Sequence, residues 1–108
     1  MNLTSVGTVI ATRRLKVSED RSREIIIDIG MPMPFPDSRD FYCPLHIKGI
    51  GSEKIQYTAG IDSVQALLLA IKYISARLSS HNKELGGAMR WEGDEEGDLG
   101  FPLDEESY

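Results

Sequence analysis

The sequence predicts an α+β fold: an antiparallel β-sheet of about four strands, a meander, with one long α-helix packed on one face. Three observations predict it. Four segments alternate apolar and polar residues with period two. One segment, from Asp62 to about Ser80, repeats its apolar residues at helical spacing behind a capping signature. Stretches rich in charge, proline or glycine separate these segments.

The first strand spans Val6 to Val17. Val9, Ala11, Leu15 and Val17 share one side, which Arg13 interrupts. The second, Arg23 to Ile29, turns Ile25, Ile27 and Ile29 one way and Glu24 and Asp28 the other. The charged residues 18–22 link the two as a hairpin loop. Residues 31–36, Met-Pro-Met-Pro-Phe-Pro, read as a partly extended loop, because three prolines donate no backbone hydrogen bonds to a ladder. The third strand is Phe41 to Lys48, with Phe41, Cys43, Leu45 and Ile47 on one face and Tyr42, His46 and Lys48 on the other. Pro44 inside it argues for an edge position or a bulge. After the turn at 49–52, Lys54 to Ala59 alternates again, Ile55, Tyr57 and Ala59 against Lys54, Gln56 and Thr58.

Asp62 is the helix N-cap, and Gln65 completes a capping-box pattern. Val64, Leu67, Leu68, Ile71, Ile74 and Leu78 define the main apolar stripe. The helix then stops at residues 83–87, where glycine supplies the left-handed cap. Met89 to Trp91 would add a short fifth strand. Odd-numbered sheet residues are expected to meet the helix, and even-numbered ones to face water or a partner. A second apolar helix surface, made by Leu69, Tyr73, Ala66, Ala70 and Ala76, falls opposite the main stripe. Either the chain after Gly87 folds back so that Trp91, Leu99 or Phe101 covers it, or it is a partner or dimer interface through Leu69 and Tyr73.

A chain of 108 residues buries about two-thirds of its unfolded surface, which is enough for one core. Residues 1–91 are expected to form a single α+β domain, and 92–108 an acidic tail partly docked through Leu99 and Phe101. The net charge is −5, and it is unevenly placed. Residues 1–91 hold all twelve bases and nine acids, whereas 92–108 hold eight acids and no base. Such a chain repels a phosphate backbone, so nucleic acid is an unlikely partner. The bases Arg13, Arg14, Lys16, Arg21 and Arg23 cluster around the first hairpin without the interleaved aromatics that base stacking needs.

One cysteine, Cys43, excludes an internal disulfide and a Cys-rich zinc module. With His46 and His81 it offers half a tetrahedral set, so the expectation is a core thiol, two solvated imidazoles and no metal. Asp94, Glu95, Glu96 and Asp98 lie close together but lack the EF-hand spacing. Their expected use is to attract a basic protein partner. Nucleophile elbow, phosphate loop and dinucleotide fingerprint are not found, so no cofactor and no catalytic residue is expected. Tyr42 and His46 share an outward sheet face two pleats apart, which falls short of a nucleophile–base pair. With neither a secretory signal nor an apolar run near 20 residues, the expected location is the cytoplasm, away from membranes.

Residues 59–71, Ala-Gly-Ile-Asp-Ser-Val-Gln-Ala-Leu-Leu-Leu-Ala-Ile, carry a Gly-x-Asp-x-x-Gln-Ala-Leu helix start. With Trp91 and the Leu-Gly-Phe-Pro at 99–102 they resemble a family of small uncharacterised bacterial proteins, a domain of unknown function. The resemblance covers most of the chain, including Arg13 to Leu15. It implies a bacterial, cytosolic protein without a known cofactor and gives weight to Gln65 and Trp91. By analogy of size and charge, toxin-neutralising immunity proteins are comparable. The leading expectation is a non-enzymatic protein-interaction module, immunity-like or regulatory, for a basic partner. The alternatives are a small-molecule binder or minor enzyme with a pocket between the 31–36 loop, Asp62–Gln65 and Trp91, and a structural homodimer.

Overall fold

The two longest strands set the frame. β1 (Val9–Val17) and β2 (Asp20–Gly30) pair antiparallel from Val9 opposite Gly30 to Val17 opposite Asp20. They belong to a computed structural model that describes residues 1–18, 20–51, 54–91, 94 and 98–102. β3 (Met33–Pro34), β4 (Phe41–Lys48), β5 (Gln56–Gly60), α1 (Ser63–Glu84) and β6 (Met89–Arg90) follow. The sheet order is β3-β4-β2-β1-β6, and β5 pairs with β4. The expected α+β architecture is present, with six strands among the described residues.

Several elements depart from the sequence reading. β1 begins at Val9 instead of Val6. β2 begins at Asp20, inside the stretch read as a loop, and the Asp20 carboxylate accepts the backbone N–H and hydroxyl of Ser22. Polar residues therefore join the ladder at the hairpin end, where they remain solvated. The proline-rich stretch does pair, but only as Met33 opposite Tyr42 and Pro34 opposite Phe41, on a strand too short to need proline's missing donor. β4 lies between strands, not at an edge. Its Pro44 sits just past Ile29–Leu45, the last pair of the β2 ladder. Gly30 makes room there, since a Cβ on it would lie 2.7 Å from Pro44 Cγ and 2.1 Å from the Val6 carbonyl oxygen.

β5 reverses the expected parity. Cys43 stands opposite Thr58, and Leu45 opposite Gln56, so even-numbered β5 residues share the helix side with odd-numbered β4 residues. The Thr58 hydroxyl donates to the Ala66 carbonyl at 2.8 Å, and Tyr73 on the helix donates to Gln56 Oε1. Tyr57 instead faces the other way and packs edge-on against Tyr42 and Phe35, with ring centroids 6.0 Å from each.

The helix is also rotated from its expected pose. Its buried residues are Ala66, Ala70, Ile74 and Leu78, whereas Val64 and Leu68 are 63% and 46% exposed. Ala66 and Ala70, read as the outer surface, are thus the inner one. The cause is a close approach: a Cβ on Gly60 would stand 2.5 Å from the Ala66 backbone nitrogen. Only small side chains fit where the helix start meets β5. α1 lies over β4 and β5. Leu15, Ile25, Ile27, Cys43, Leu45, Ile74, Leu78 and Met89 form the fully buried centre. On the opposite face, Arg14 and Lys16 pair with Glu24, and Lys48 with Asp28.

Candidate interaction site at the docked tail

Because α1 covers β4 and β5, the helix side of β1 needs another cover. Arg13 supplies the attachment. It points to the same side as Leu15 and Val17, which is why it interrupts their alternation. Its guanidinium lies 4.3 Å from the Trp91 ring centroid and 4.8 Å from that of Phe101. Nη1 also donates to the Leu99 carbonyl at 2.8 Å. A cation between two aromatic faces is worth about 0.5–2 kcal/mol for each face, more as water is excluded. Trp91 is delivered by β6, whose Met89 and Arg90 pair with Val17 and Lys16.

The Gly-Phe-Pro motif has a physical reason. Gly100 adopts φ +80°, and a Cβ on it would lie 2.1 Å from Arg13 Nη1 and 2.9 Å from the Trp91 ring. The Asp98 carboxylate accepts the Gly100 N–H at 2.8 Å and shapes the turn. The Ser75 hydroxyl donates to the Pro102 carbonyl at 2.9 Å, seating the segment on the helix. Trp91, Leu99 and Phe101 are partly buried against the core. Leu99 and Phe101 lie beside Ser75 and Leu78 of α1, while Trp91 lies against Arg13 on β1.

A groove of about 800 Å³ lies between the C-terminal half of α1 and this segment. Leu78, Leu99 and Phe101 line it, with Ser79, Asn82 and Asp98 among its polar residues. Asn82 also accepts the Met89 N–H, tying the helix end to β6.

Of the acidic residues singled out from the sequence, Asp98 is exposed and Asp94 partly exposed, with the Asp94 N–H donating to the Trp91 carbonyl at 2.7 Å. Glu95 and Glu96 lie outside the described residues. Leu69 is 38% exposed. Tyr73 is held within the chain, accepting from Arg77 at 2.8 Å while it donates to Gln56.

The pocket expected from the 31–36 loop, Asp62, Gln65 and Trp91 does not assemble. Asp62 accepts the Gln65 N–H at 2.8 Å, and Gln65 Oε1 accepts the Ile61 N–H at 2.7 Å, so both serve the helix start beside β5. Trp91 stands beyond β1 at the opposite edge of the sheet. Phe35, from the loop, packs against Tyr42 on the face away from the helix.

The remaining reactive groups have structural uses. Burial pushes the Cys43 thiol up to about 11, which keeps it protonated and poorly nucleophilic at neutral pH. His81 pairs with Glu84 at 3.4 Å. Among the described residues, no group of three or more His, Cys, Asp or Glu is placed to hold a metal. None of their helices is long and apolar enough to cross a membrane.

Arg13 is the site residue that sequence reading missed. Its signal was present, a charge on the apolar side of a strand, but nothing local named its partners, which lie more than 75 residues away. A family model described as a domain of unknown function (DUF6968) matches residues 11–103, which includes Arg13, Trp91 and the docked segment. No curated protein and no solved structure matches the chain.

Proposed function

We propose that this chain, which belongs to the DUF6968 family, is a protein-interaction module of immunity-like or regulatory kind that engages a basic partner through its acidic residues 92–98. The observation that supports the reading is the Arg13 clamp. One side chain on β1 touches Trp91, just before the acidic run, and Leu99 and Phe101, just after it. Both ends of a run with five acids are thereby held to the sheet. Anchoring the ends lowers the ordering cost on binding, and clustered negative charge speeds encounter with a cationic surface.

Affinity capture from a lysate of the source organism tests this. The bait is the full chain, compared with a variant carrying Asp94→Asn, Glu95→Gln, Glu96→Gln and Asp98→Asn. A basic protein held at low salt, released at moderate salt and lost with the variant supports the reading. Recovery of no salt-sensitive partner sinks it.

A further inference from the structure

We infer that two copies of this chain pair through α1, antiparallel about a two-fold axis, with Ile61 and Val64 of each copy seated at the groove of the other. This stands apart from the acidic-run reading and does not rest on it. The two halves of the contact lie at opposite ends of one helix face. Ile61, Val64, Leu68, Ser75, Ser79 and Asn82 follow one another at spacings of three, four and seven, which is a single stripe along an α-helix. At its start the stripe is apolar and uncovered, with Ile61 72% exposed and Val64 and Leu68 exposed beside it. At its end Ser75, Ser79 and Asn82 form a wall of the groove whose apolar lining is Leu78, Leu99 and Phe101.

The stripe matches itself when reversed. Turning a second copy about the level of Ala70 sets Ile61 against Ser79, Val64 against Ala76 and Leu68 against Lys72. Each contact then recurs on the other side of the axis, as two-fold pairing requires. Large side chains meet small ones at both ends, and the aliphatic stem of Lys72 lies along Leu68.

Charge favours a second copy. Between Ile61 and Ser80 the charged residues are Asp62, Lys72 and Arg77. Asp62 caps the helix and Arg77 donates to Tyr73, so Lys72 is the charge left to an outer face that water would ordinarily keep polar. The charged lining residues of the groove are Asp98 and Lys83, one of each sign, so the groove selects for apolar shape. Reversal also sets the positive end of each helix dipole beside the negative end of the other. Area is sufficient as well. Ile61, Val64, Leu68 and Leu69 expose on the order of 400 Å² of apolar surface per copy, the largest patch a typical monomer shows. Two copies pool twice that, and the rest of the stripe brings the pair to the lower bound of a specific interface, about 1,200 Å².

The test is the mass in solution of the full chain, by light scattering and sedimentation from about 10 µM to about 1 mM, the range in which interfaces near that lower bound associate. The expected mass rises toward twice 12.0 kDa. Ile61→Glu and Ser79→Arg both change exposed positions. Each should weaken association more than about tenfold, because a two-fold pair loses the contact twice, and leave the urea midpoint parental. The chain carrying both changes sets opposite charges against each other at each end and should recover association. A strictly monomeric parent overturns the pair and leaves the face to the chain's own end or to another protein. A dimer indifferent to both single changes overturns this surface, and a double variant no better than the singles overturns the antiparallel register. Lysate capture through the acidic residues is a separate readout, so either reading can fail without the other.

Discussion

The two edges of the sheet solve the same packing problem differently. At the β5 edge, helix and strand touch almost backbone to backbone: Gly60 sits under Ala66, and Thr58 donates to the Ala66 carbonyl. At the β1 edge the helix no longer covers the sheet, and a segment from the end of the chain fills the space, held by Arg13. The first contact uses small side chains and a short connection. The second uses large side chains, a cation and residues more than 75 positions apart. A joint of the second kind is expected to loosen without unfolding the domain, and the proposed function is assigned there on that expectation.

The largest effect is expected at the tight edge. Gly60→Ala pushes a methyl into the helix backbone and should cost about 2 kcal/mol of stability by urea titration. A midpoint unchanged from the parent chain would show that the helix start slides freely, which would erase the contrast between the edges.

Gly100→Ala is the matching change at the other edge. It combines a left-handed backbone with contact on Arg13 and Trp91, and should cost about 1–2 kcal/mol, spent on local undocking. Trp91 is the sole tryptophan, so its fluorescence reports the joint directly. The expected result is a red-shifted emission with a nearly parental urea midpoint for the sheet. Should emission and global unfolding change together, the joint would be part of the core.

Arg13→Gln keeps a polar side chain but removes the cation from the two rings. A loss of about 1 kcal/mol and a smaller red shift are expected. Stability rising instead would mean that the clamp is maintained against a cost.

The smallest effect lies away from both edges, at Asp28. Burial pushes its carboxyl up, but the hydrogen bond from Thr12 and the pairing with Lys48 outweigh this and hold it below its usual 3.8. A lowered folded value means that the stabilisation is present above the ordinary carboxylate value and fades as pH falls through the folded one. Asp28→Asn should therefore cost under about 1 kcal/mol at pH 6, and the gap from the parent should close on acidification below pH 4. A gap independent of pH would assign the loss to packing.

Element order was readable because each segment announces itself within a few residues. The isoleucines at 25, 27 and 29 alternate cleanly, and Asp62 with Gln65 marks the helix start. The helix face was not readable, because residues 64 and 66–71 are all apolar and every rotation buries something. β5 was ambiguous for a related reason, since its helix side carries Gln56 and Thr58, which satisfy their polar groups on the helix. Of the candidate site, Leu99 and Phe101 could be named from the sequence as docking residues. Arg13 read as an interruption of its strand and as one of a basic cluster, and Asp62 with Gln65, read both as a cap and as pocket residues, serve the cap.

By itself the sequence determined the α+β order of elements, the start of the helix, the inward thiol and the crowding of acid at one end. Those properties depend on neighbours a few positions away, where propensity, capping and alternation act. Tertiary structure alone decided which helix face is buried, which way β5 faces and what Arg13 holds. These outcomes depend on how closely two backbones approach and on which distant side chains fill the remaining gap, quantities that no local pattern encodes.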